Sequence, residues 1–220
     1  MDKETTINAS RRGLLAGMGA LGLAGLGAWH GLGKRAPAAP RGAARASALP
    51  NVTLYTHEGK AVRFYDDLIR GRVVAINMMY AQCAGICPLG TSNLLRVQAM
   101  LGERAGREVF LYSITLRPGQ DTPRGLKLYA ERHGVGPGWQ FLTGEPADIR
   151  LLRYRLGFYD RDADIDAVDE THTAMVRIGN DASRRWTMAP VLAEPRQILA
   201  TINHVDPAVV HACQGGCKTL

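Results

Sequence analysis

Two cysteines stand three residues apart in "YAQCAGICPL", residues 80–89: Cys83 and Cys87, with Pro88 directly behind. An apolar run precedes them and a helix-like pattern follows. Sulfurs at such a strand-to-helix turn lie beside the free N–H groups of a helix N-terminus. Those groups and the helix dipole favour thiolate over thiol. The i, i+4 spacing is one helical turn, so both sulfurs can face one side. Three chemistries fit: a disulfide, a thiol–disulfide exchange pair, or two legs of a metal site. Exchange proteins of the thioredoxin type use two intervening residues. Three still permit a disulfide and also leave room for an ion. Soft thiolates suit Cu(I), and one added imidazole makes a set that also suits Cu(II).

A third ligand would have to be a histidine, of which there are six. His30 lies in an N-terminal uncharged segment, His57 in a turn, His133 and His204 at helix ends, and His211 in the tail. His172, in "DETHTAMVRI", follows a long loop and stands where a strand begins. The residues alone leave it open to ligation or to a capping or solvated role. The tail sequence "HACQGGC" repeats the spacing with His211, Cys213 and Cys217, but no buried strand precedes it. It reads as a local disulfide or frayed end, or as an auxiliary thiol or metal arm. Met78 and Met79 belong to an apolar strand and are expected in the core. Asp164, Asp166, Asp169 and Glu170 form an acidic loop expected to be a solvated face, able to steer a basic partner or copper.

The elements that must position these groups follow from the patterning. "NVTLYTHEGKAVRF" gives two short strands around a turn, a hairpin. "RVVAINMMY" (72–80) is nearly continuously apolar, as a strand buried on both faces must be. Residues 88–101 are helical in spacing, and "REVFLYSITL" (107–116) is a second buried strand. "DTPRGLKLYAERHG" reads as a helix capped by Asp121, with an early proline and a terminal Gly134. "WQFLTG" is a strand and "ADIRLLRYRLGF" a helix. "THTAMVRIGNDASRRWTM" is a hairpin across "GND", and "EPRQILATINHV" a last helix. Alternating strands and helices imply an α/β fold with a mixed central sheet flanked by helices. With the cysteine pair after the first buried strand, it is thioredoxin-like, carrying an N-terminal hairpin extension.

Charge separates the ends from the middle. Residues 1–48 hold Lys3, Arg11, Arg12, Lys34, Arg35, Arg41 and Arg45 against Asp2 and Glu4, five of the formal net charge of +7. The remainder is nearly balanced and shows no basic stripe interleaved with aromatics, which argues against nucleic-acid binding. The pair Arg11-Arg12 precedes the uncharged, Gly-rich "GLLAGMGALGLAGLGAWHGLG", the pattern of a twin-arginine export signal. Its length would also serve as a membrane anchor. The division expected is a signal or anchor with linker (1–48), one domain (49–204) and a tail (205–220). The domain is then on the periplasmic side of the cytoplasmic membrane, soluble or anchored. No phosphate loop, hydrolase elbow or haem-attachment motif occurs.

"MMYAQCAGICPLG", "YSITLRPGQDTPRGLKLYAERHG", "WQFLTG" and "ETHTAMVRI", in this order, resemble the Sco/SenC family of thioredoxin-like copper proteins over roughly residues 50–204. The histidine falls 85 residues after the second cysteine. The resemblance implies that Cys83, Cys87 and His172 bind copper, as Cu(I) or Cu(II). It also implies help in maturing the copper centre of cytochrome c oxidase, with that enzyme's copper-site subunit and other periplasmic copper or thiol proteins as partners. Such a protein is a metallochaperone rather than an enzyme; the alternative is a thiol–disulfide oxidoreductase keeping target cysteines reduced. Two positions depart from the family pattern. Ala84 stands where a proline is common, and Arg117 where an Asp-Pro is usual, a cation in place of an acid.

Overall fold

The computed structural model describes residues 49–209 apart from Thr173, and leaves the side chain of Glu170 undescribed. The proposed signal (1–48) and the tail residues His211, Cys213 and Cys217 lie outside the described residues.

Strands β1 (Thr53–Thr56) and β2 (Ala61–Arg63) form the expected hairpin, followed by a single π-helical turn at Phe64–Ile69 that the patterning did not predict. Then come β3 (Val73–Met79), α1 (Ile86–Leu101), β4 (Val109–Thr115), α2 (Pro123–His133), β5 (Trp139–Gly144) and α3 (Pro146–Leu156). A short α4 (Ala163–Asp166) and a 3-10 turn (Asp169–His172) lead into β6 (Met175–Asn180), β7 (Arg185–Pro190) and α5 (Pro195–Val205).

All seven strands join one mixed sheet in the order β2-β1-β5-β4-β3-β6-β7. β3 runs parallel to β4, and β4 to β5, while the hairpin adds antiparallel to the β5 edge and β6 antiparallel to β3. The pleat of β3 explains its composition. Val73, Ala75 and Met79 point into one core with α1, α2 and α5; Val74, Ile76 and Met78 enter a second core with α3 and the π-helical turn. Both methionines are thus core residues, as expected. A strand clamped by apolar layers on both faces and by neighbours on both edges has a fixed end, and that end carries the cysteines.

Candidate copper and thiol site

The cysteine turn is built from backbone first. β3 leaves the sheet at Met79, and the Cys83 amide closes a turn by donating to the Tyr80 carbonyl (3.2 Å). α1 starts at Ile86 with Gly85 as its N-cap, so Cys87 sits in the first helical turn and Cys83 just before it. Both side chains are buried beneath exposed Ala84 and Gly85, and no disulfide joins them. Burial by itself resists ionisation of Cys83. Hydrogen bonds from the Cys87 thiol, the Cys87 and Gly85 amides and the Tyr80 hydroxyl outweigh it and hold the Cys83 thiol below its ordinary range. The helix N-terminus therefore does what the spacing predicted, with Tyr80 as an added donor. Tyr129, bonded to Thr91 (2.9 Å), is pushed up first by burial and also by the nearby cysteines.

Asp121 has a different role from the one its place before a proline suggested. The α2 cap is Thr122, whose hydroxyl accepts from the Gly125 amide (3.2 Å). Asp121 is 4% exposed and turns inward. One of its oxygens accepts from the Ala81 amide (3.1 Å) and from the Thr115 hydroxyl (2.5 Å). It thus straps the start of the cysteine turn to the end of β4. The only signal in the sequence is an acid beside a threonine, and either can cap a helix; burial decides between them.

His172 begins at the same end of the sheet as the cysteines. The antiparallel register pairs Asn77 with Val176, so residues following β3 and residues preceding β6 leave the sheet side by side. Its side chain, however, is turned to α3 and α4. His172 Nε2 lies 2.5 Å from Arg153 Nη1 and 2.9 Å from the Asp166 carbonyl. Arg153 forks onto the Asp166 carboxylate (2.9 and 2.8 Å), and this guanidinium holds Asp166 below the usual carboxylate range. Among the described residues no group of three or more His, Cys, Asp or Glu is gathered as a metal site. The structure thus brings Cys83 and Cys87 together and leaves His172 apart from them.

The acidic loop is not the uniformly solvated face that was expected. Asp164 is exposed, but Asp166 is held by Arg153, and Asp169 pairs with Arg117 Nε (2.8 Å). The Arg117 guanidinium also stacks 3.8 Å from the Tyr80 ring centroid. The cation that departs from the family pattern therefore links the tyrosine beside Cys83 to the segment carrying His172.

Two sulfurs within one hydrogen bond of each other, one held below its ordinary thiol range, fit a soft monovalent ion or a dithiol–disulfide couple. No helix among the described residues is long and apolar enough to cross a membrane.

The family model SCO1/SenC matches residues 42–205. A candidate copper-binding protein of Stutzerimonas stutzeri is 27% identical over 113 residues, 51% of this chain and 53% of that protein, so the chain spans about half the length of this curated relative. Among solved structures, Bradyrhizobium japonicum ScoI with copper bound superposes with a TM-score of 0.55 at 22% identity, covering 70% of this chain and 96% of that one. BsSco, reported with a disulfide switch, superposes with a TM-score of 0.57 at 19% identity, covering 70% and 91%. At these identities the structural likeness establishes the thioredoxin-like fold.

Proposed function

The chain belongs to the SCO1/SenC family, and on that premise we propose that it is an exported copper-binding metallochaperone that assists maturation of the copper centre of a respiratory cytochrome c oxidase. The observation that carries the reading is the buried, adjacent Cys83–Cys87 pair with its ionisable Cys83. Copper is cargo here, taken up and passed on. The pair supplies two soft ligands from a rigid strand–helix turn. His172 is the third, reaching them when the 169–172 segment releases the imidazole from Arg153 and Asp166. Relatives support the reading by name: ScoI holds copper, and BsSco belongs to a family of cytochrome c oxidase assembly proteins. The partners that follow are the oxidase's copper-site subunit and other periplasmic copper or thiol proteins. Residues 1–48 provide the export signal or anchor, and His211, Cys213 and Cys217 an auxiliary thiol or metal arm.

One observation favours a second activity of the same pair: the Cys87 thiol hydrogen-bonds the Cys83 sulfur without a disulfide between them. The Cys83 thiolate attacks one sulfur of a partner disulfide and expels the other as thiolate. Cys87 then attacks the mixed disulfide, releasing the partner as a dithiol and leaving a Cys83–Cys87 disulfide. Two electrons pass to the partner.

Anaerobic Cu(I) titration of the full chain against a chromophoric chelator tests the first reading. One tight equivalent is expected, lost in Cys83→Ala and weakened in His172→Ala. Equal affinity in all three proteins sinks it.

A further inference from the structure

β7 (Arg185–Pro190) closes one side of the sheet, and among the described residues nothing pairs with its outer edge. The Val191 amide donates to the Ala174 carbonyl (2.8 Å), which fixes the phase of the β6–β7 ladder. In that phase Arg185, Thr187 and Ala189 bond to β6, while Trp186 and Met188 turn their N–H and C=O groups outward. We propose that this edge is a docking strand for an extended, acidic segment of a partner protein, which adds to the sheet beside β7 and sets a carboxylate against Arg177. The proposal stands on the hairpin alone and does not depend on the copper reading.

An edge strand is open to pairing unless charge, proline or a bulge blocks it. From Trp186 to Ala189 the residues are Trp-Thr-Met-Ala in unbroken register, and Pro190 stands only at the end. Arg185 is drawn away, donating to the His204 carbonyl (3.1 Å). The Trp186 indole leaves the edge clear as well. It folds back over Gly179, where a Cβ would come within 2.2 Å of its ring, so only glycine lets it lie inward.

The hairpin also holds a cation that lacks an anion. Arg177 stands on the same face as Trp186 and Met188, directly opposite Met188. Its guanidinium carbon lies 5.6 Å from the Trp186 ring centroid. Its Nε is buried and has no hydrogen-bond partner among the described residues. Burial pulls this group below its ordinary range, with no carboxylate to offset the shift. A buried N–H left unpaired costs free energy and calls for a partner. Arg184 and Arg185 add two cations, whereas Asp181, the hairpin's one acid, accepts from the Tyr65 hydroxyl (2.7 Å). This net positive charge sets two copies of the hairpin against each other and favours an acidic partner.

A strand added to β7 would lie two strand spacings from β6, about 10 Å, which an arginine and a glutamate span together. Main-chain bonds to Trp186 and Met188 would give affinity, and the Arg177–carboxylate pair the choice of sequence.

The probe is a short synthetic peptide alternating valine and glutamate, added to the full chain, with a valine–lysine peptide as control. The glutamate peptide should slow amide exchange at Trp186 and Met188 and leave Thr187 and Ala189, already bonded to β6, unchanged. The lysine peptide should bind more weakly by about tenfold or more, as loss of a charged hydrogen bond predicts. Arg177→Met should remove that preference. Met188→Pro deletes an outward N–H without touching the bonds to β6 and should abolish binding. A fully N-methylated glutamate peptide should likewise fail to bind the unaltered protein. Absence of binding, equal binding of the two peptides, or a folded Met188→Pro protein that still binds overturns the proposal. So does protection of Trp186 and Met188 that grows with protein concentration alone, which assigns the edge to a second copy of this chain.

Discussion

Cys83 and His172 occupy the same end of one sheet but are held in different ways. The cysteine turn is set by main chain: β3 is paired on both edges, α1 starts within three residues of Cys83, and the turn closes on the Tyr80 carbonyl. Asp121 then ties it to β4. The His172 segment crosses from α3 to β6 outside the sheet, with only a four-residue helix and one 3-10 turn of its own. Side chains hold it: Arg153 on Asp166, Arg117 on Asp169, and the Thr171 hydroxyl on the Val168 carbonyl (2.8 Å). Backbone pairing yields a preformed dithiol, whereas His172 is placed by side-chain pairing alone. On the proposed copper reading the rigid half would keep the ion and the side-chain-held half would complete or open its coordination.

The contrast can be broken at its strongest point first. Asp121→Ala removes a buried carboxylate from two donors and should cost about 2–4 kcal/mol in denaturant unfolding. The cysteine turn should loosen with it, seen as faster amide exchange at residues 81–83. If exchange there is unchanged, Asp121 is only a packing residue. Next, Arg153→Ala should cost about 1–2 kcal/mol while leaving the reactivity of the cysteines as it was. Its pH signature has a definite sign. Asp166 has a depressed folded value, so its contribution is complete above the ordinary aspartate value of 3.8 and is lost as pH falls through the lower folded one. Arg153→Ala should flatten that acid limb of the stability curve. An unchanged limb means that the fork does not hold the segment.

Smaller effects sharpen the comparison. Tyr80→Phe removes one of the donors to Cys83, so the pH profile of iodoacetamide alkylation should move upward while unfolding stability stays nearly constant. An unmoved profile leaves the backbone amides and Cys87 as the whole cause. Arg117→Ala breaks a partly exposed ion pair worth about 0.5 kcal/mol. Its effect should appear as faster amide exchange over residues 169–172, restored by the swap Arg117→Asp with Asp169→Arg. Failure of the swap to restore protection assigns Arg117's effect to its stacking on Tyr80.

The same division governs what could be read from the sequence. The strand before the cysteines was legible because burial on both faces demands a continuous apolar run. The β6–β7 hairpin was legible because "GND" interrupts two strand-like stretches. The π-helical turn at Phe64–Ile69 was not, since "FYDDLI" carries no periodicity that separates it from a loop. Asp121 and Thr122 are adjacent and both able to cap, so only the fold shows which one faces inward. The acidic loop reads as solvent-facing by composition; its arginine partners lie 13 and 52 residues away, and nothing local marks them among the chain's 27 Lys and Arg. For His172 the register of β6 put the residue at the right end of the sheet, but its side-chain direction depends on Arg153 and Asp166. A pattern of spacings does not encode that choice.

Copper X-ray absorption, on the full chain carrying Cys213→Ser and Cys217→Ser and loaded with one equivalent of Cu(I), tests the central claim most directly. Two sulfur neighbours and one imidazole are predicted, with both sulfurs lost when Cys83 and Cys87 are also replaced by serine and the histidine signal lost in His172→Ala. A copper spectrum that keeps the same sulfur neighbours without Cys83 and Cys87 contradicts the account.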